Sequence, residues 1–79
     1  MAEQGTAWIL PYIARMTEAE LGDHTQLLVE GILDSMDVQD LIAEIEARHG
    51  MYIPDLELED SNFETVDAIS RLVVRLTDD

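Results

Sequence analysis

Ser35-Met36-Asp37-Val38-Gln39-Asp40-Leu41-Ile42-Ala43-Glu44-Ile45-Glu46-Ala47-Arg48-His49-Gly50 is the stretch that decides the fold. Val38, Leu41, Ile42 and Ile45 recur at i, i+3, i+4 and i+7, the spacing that gathers side chains on one side of a helix. Met36, Asp40, Glu44 and Ala47 fall on the other side, so one face is apolar and the other acidic. The ends agree with the period. Asp34 or Ser35 suits the N-cap, Asp37 suits the positive N-terminal end, and Arg48 and His49 suit the negative end before Gly50. The pattern predicts a helix over Ser35–His49.

Working outward, Ile9, Tyr12, Ile13 and Met16 mark a second amphipathic helix between Thr6 and Thr17. Pro11 lies inside it, so the helix either starts near Pro11 or is kinked there. From Thr17 to Leu33 the period is lost and Gly22, Asp23 and Gly31 punctuate the chain, which predicts a long structured loop whose leucines pack into the core. Beyond Gly50, Met51–Pro54 is an extended connector, because proline pushes its predecessor out of helical angles. Ser61 to Glu64 has capping-box spacing and is expected to open a single short turn. Thr65 then caps a last helix carrying Val66, Ile69, Leu72, Val73 and Leu76. No segment alternates like a strand. The expected fold is one all-α domain over residues 1–79, a bundle of three main helices and one short one with a long first loop.

Charge and composition narrow the function. Among 79 residues, 18 are acidic and 4 are arginine, with no lysine, for a formal charge of -14. Such a surface repels phosphate backbones and anionic lipid, so nucleic-acid and membrane binding are disfavoured and basic protein surfaces are the natural partners. Hydrophobic residues make up 47% of the chain, enough for a core and unlike a disordered acidic tail. There is no cysteine, hence no disulfide, zinc-thiolate site or thiol nucleophile. No apolar run approaches the ~20 residues that span a bilayer. The N-terminal residues have the wrong layout for a signal peptide, so a cytoplasmic monomer is expected. Without a Gly-x-Ser-x-Gly elbow, a phosphate loop or a paired His/carboxylate site, an enzyme in its own right is disfavoured.

The informative residues for chemistry are Gly31-Ile32-Leu33-Asp34-Ser35-Met36, where the long loop meets the best helix. A serine there is exposed, and the open N–H groups of a first helical turn favour an anion attached to it. Ser35 is thus placed to carry a phosphate ester. Asp-Ser before an apolar-periodic run is by itself more often a plain N-cap. The wider pattern shifts that balance. Thr25 to Met36, Asp40 to Glu46, Ile53-Pro54, and Phe63 to Val66 with Ile69 form an ordered set that resembles the carrier proteins holding acyl or aminoacyl groups on a 4′-phosphopantetheine arm. The resemblance runs from about Thr25 to Leu76.

That resemblance implies a four-helix bundle, with Ser35 as the serine that takes the arm from CoA through a Mg²⁺-dependent phosphopantetheinyl transferase, and Asp34 positioning that serine and the transferase's metal. It makes the chain a substrate of its partners rather than a catalyst. The Gly31 to Ser35 form, the Ile45-Glu46-Ala47-Arg48 continuation and the spacing from Ser35 through Pro54 to Thr65 are most similar to stand-alone D-alanyl carrier proteins and to other aminoacyl carriers. These imply an adenylate-forming ligase as loader and an acyltransferase or synthase as acceptor. Arginine without lysine points to a GC-rich genome and to natural-product biosynthesis, polyketide or nonribosomal. Pro11, His49 and Gly50 depart from the D-alanyl pattern.

Each remaining feature has a plainer alternative. The acidic side of the central helix is usually just a solvated face. Because it begins beside Ser35, a partner reaching the arm is expected to cross Met36, Asp37, Asp40 and Glu44. Met36, away from the apolar stripe, reads as an exposed adaptable contact. Trp8 reads as a core or rim aromatic, His24 as a loop residue and His49 as a helix C-terminal cation. Asp55 to Asp60 is no calcium loop, since an EF-hand counted from Asp55 would need glycine at Asp60 and glutamate at Val66. The rival to a carrier is an acidic helical adaptor or nucleic-acid mimic without a prosthetic group.

Overall fold

A computed structural model describes residues 5–77. Three α-helices form the frame: α1, Ile9–Thr17; α2, Ser35–His49; and α3, Val66–Thr77. Two short 3₁₀ turns, Asp55–Glu57 and Asp60–Asn62, fill the connection from α2 to α3. This corrects the expected four-helix count: two 3₁₀ turns stand where one short helix was anticipated, and the described residues contain no strand. The predicted Ser61–Glu64 capping box is not what forms the turn. Asn62 instead donates its side-chain amide to the Glu57 carbonyl at 2.8 Å, a local bond that competes with helical pairing. Buried Phe63 then turns the chain into the core before Thr65 starts α3.

The proline question in α1 resolves simply. Pro11 is the third residue of the helix, within the first turn, where backbone N–H groups have no helical partner to lose. Ile9 and Ile13 are its fully buried residues, and α1 lies against α3. Leu41 and Ile45 bury the predicted stripe of α2, and Val66, Ile69, Leu72 and Val73 bury that of α3. These side chains join Leu27, Leu33, Ile53 and Phe63 in one core. As expected, leucines of the long loop belong to it; Val29, 81% exposed, does not.

Backbone bonds fasten the long loop where periodicity gives no guide. Leu27 N–H donates to the Glu64 carbonyl at 2.8 Å, and Asp67 N–H donates to the Asp23 carbonyl at 3.0 Å, so the loop is tied to the start of α3. Thr65 caps that helix, its Oγ1 accepting from Ala68 N–H at 3.0 Å. The far end of α2 stops at Gly50, whose φ of 60° is the left-handed conformation that glycine adopts without a Cβ penalty. Glu46, on the half-buried flank of α2, accepts from Ile53 N–H at 2.9 Å and holds the extended connector against the helix.

Candidate functional site

Ser35 is the first residue of α2 and is exposed. Four backbone N–H groups at a helix start lack helical partners. Here a capping box satisfies two of them: Asp37 N–H donates to Asp34 Oδ1 at 2.9 Å, and Asp34 N–H donates to Asp37 Oδ2 at 3.2 Å. Asp34 is therefore the N-cap, and the Ser35 hydroxyl is not spent on capping. Asp34→Ala is expected to cost about 1 kcal/mol of stability. A lowered urea midpoint with an unchanged denaturant slope would register that loss, and an unshifted midpoint would contradict the capping assignment.

Beside Ser35 a cleft of ≈ 330 Å³ opens between α2 and the segment that follows Pro54. Leu28, Leu33, Val38, Ile42, Leu58 and Phe63 are its apolar lining, and Asp34, Ser35, Gln39, Glu59 and Asp60 its polar lining. Sequence periodicity places Val38 and Ile42 on the buried face of α2 but gives no hint of this opening. Leu58 in particular sits in the acidic run Asp55 to Asp60, with no apolar period to assign it a wall.

The four residues predicted as a partner face divide into two pairs. Met36, 73% exposed, and Asp40 stand free on the outer side of α2. Asp37 is engaged in the capping box, and Glu44 is paired with Arg48 at 2.6 Å. His49 stands in the last turn of α2 as expected, and it has a contact the sequence does not show: its Nε2 accepts the Trp8 indole N–H at 3.2 Å. That contact joins residues 41 apart in the chain, beyond any periodic signal.

A 4′-phosphopantetheine arm fits these residues. A phosphodiester on Ser35 would adjoin the N–H groups of Ser35 and Met36, the two first-turn donors that the capping box leaves open, and the positive end of α2 favours its charge. The arm's terminal thiol supplies the thioester chemistry. If the arm sits here, Ser35 would contribute only its hydroxyl, and the reciprocal Asp34–Asp37 bonds would hold the turn that presents it. Among curated proteins none matches the chain. The family described as "Phosphopantetheine attachment site" does match, over residues 7–73, a span that starts in front of α1 and ends in α3. The chain belongs to the phosphopantetheine-attachment family, carrier proteins that bear a covalent 4′-phosphopantetheine.

Proposed function

We propose that the chain carries an aminoacyl thioester on an arm attached at Ser35, receives it from an adenylate-forming ligase and delivers it to an acyltransferase or synthase. Family membership implies a phosphopantetheinyl transferase and acyl-handling enzymes as partners, and it sets aside an adaptor without a prosthetic group. The observation that carries the choice of Ser35 is its exposed position at the start of α2 with the cap supplied by Asp34. The aminoacyl cargo draws on the Gly31 to Ser35 form and the Ile45 to Arg48 continuation. The loaded form offered an amino acid, ATP and candidate ligases should gain a hydroxylamine-labile aminoacyl group. Acceptance of fatty acyl groups alone would overturn the aminoacyl reading. That acyl reading is favoured by one feature, the apolar walls of the cleft beside Ser35.

Asp40 tests the partner face. It is exposed and unengaged, so reversing it changes the field a basic partner meets without loosening a contact within the bundle. Asp40→Lys is expected to slow loading by roughly 3- to 10-fold at low salt, with the difference shrinking as salt screens it. Equal rates at low salt would remove Asp40 from the docking surface. Adding Glu44→Lys is less informative, because it also frees Arg48 from its ion pair.

A further inference from the structure

The end of α2 opposite Ser35 carries a cluster that the carrier chemistry does not use. Trp8, just ahead of α1, donates its indole Nε1–H to Nε2 of His49, the last residue of α2, at 3.2 Å. The Arg48 guanidinium lies over the same indole, 4.4 Å from the ring centroid, and is held there by Glu44 at 2.6 Å. Tyr12, one turn along α1, meets Trp8 edge-on with centroids 5.7 Å apart. His49 Nδ1 is buried and has no hydrogen-bond partner among the described residues.

Donor chemistry determines what this arrangement requires. An indole N–H only donates, so His49 Nε2 must present a lone pair and the ring proton of the neutral imidazole sits on Nδ1. An imidazolium carries N–H on both nitrogens, and its Nε2–H would face the indole N–H, donor against donor. Protonation would also set a second cation beside Arg48 against one indole, with no carboxylate bonded to Nδ1 to receive it. The carbonyl end of α2 pulls the other way, since it favours a cation at its last residue. Tyr12 from α1 and Arg48 and Glu44 from α2 meet the pair directly or through one another, and Asp40 from α2 acts on Tyr12. Burial, reinforced by Glu44 and Asp40 and opposed by Arg48, pushes the Tyr12 phenol above its ordinary value, so it is neutral at and below neutral pH.

We propose that Trp8 and His49 form an acid-labile clasp: neutral His49 ties the leading end of α1 to the trailing end of α2, and protonation releases Trp8. The capping box at Ser35 lies at the other end of α2 and takes no part, so acid reshapes one pole of the carrier and spares the attachment turn. This inference is independent of the cargo.

Trp8 is the only tryptophan, which makes its indole N–H a specific reporter. Hydrogen exchange of that proton is followed by NMR from about pH 8 to about pH 5.5, a span that brackets the model-peptide value of histidine and stays above those of aspartate and glutamate. At the upper end the indole proton should be protected and the ¹⁵N shifts of His49 should report the Nδ1–H tautomer. On acidification that protection should disappear in a single transition. His49→Gln, whose amide oxygen accepts the same bond but does not titrate, should remove the transition, and His24→Gln should keep it. The clasp is overturned by a transition that survives His49→Gln or vanishes in His24→Gln. An unprotected indole proton at the upper end, or an Nε2–H tautomer at His49, overturns it in the native chain with no variant needed.

Discussion

Leu41→Ala is expected to leave a largely unfolded chain. Leu41 is fully buried on the inner face of α2, and truncating such a leucine removes its transfer energy and leaves a cavity, together about 2–5 kcal/mol. A domain of 79 residues without a disulfide holds only ~3–5 kcal/mol of net stability. Mutual repulsion within a charge of -14 works against the compact state as well. The loss therefore nearly matches the reserve. Far-ultraviolet circular dichroism at low salt should show most of the helical signal gone, whereas Leu41→Met, which keeps the volume, should retain it. A folded Leu41→Ala chain with an unchanged urea midpoint would mean that α2 is not anchored through this side chain.

Ser35→Ala has the opposite profile: no loss of fold and complete loss of modification. Asp34 caps α2 and is bonded reciprocally to Asp37, so removing the Ser35 hydroxyl costs no cap, and alanine is the better helix former. The side chain is exposed, so no packing is lost either. Incubation with CoA, Mg²⁺ and a broad-specificity phosphopantetheinyl transferase should leave this variant at its starting mass with its melting curve unchanged. A destabilised variant would contradict the division of labour between Asp34 and Ser35.

Much of this was legible from residue order, for physical reasons that differ along the chain. In α2 the apolar period, the capping residues and Gly50 all mark the same boundaries, Ser35 and His49, because each reports the same helical geometry. In α3 the single cap at Thr65 sufficed. Pro11 left two options open, since a proline in the first turn and one that kinks an interior share the same local sequence; only the helix start at Ile9 separates them. At Ser61 to Glu64 a short turn forms beside the expected place but without the capping box, because that spacing is necessary for the motif and not sufficient. Leu56, Leu58 and Phe63 have no helical period, Leu56 stays 86% exposed, and the Asn62 amide binds backbone locally.

At the site, Ser35 and Asp34 could be singled out only through the ordered set of segments from Thr25 to Ile69, because Asp-Ser at a helix start is by itself a plain N-cap signal. The cleft beside them could not, because its walls come from the long loop, α2 and the segment after Pro54, and their meeting depends on how those pieces pack. Nothing in the residue order separates Glu44 from Glu46, two carboxylates of one helix. One holds Arg48 over Trp8 and the other holds the Ile53 amide, contacts set by where the chain returns after Gly50.

Ser35 is proposed to bear the arm, and the chain offers three serines, Ser35, Ser61 and Ser70. The most direct measurement is the intact mass after treatment with CoA, Mg²⁺ and the transferase, followed by fragmentation to locate the added group. A gain of one phosphopantetheine is expected, carried by the peptide containing Asp34-Ser35-Met36. No gain in a folded sample, or a gain that maps to Ser61 or Ser70, would contradict it.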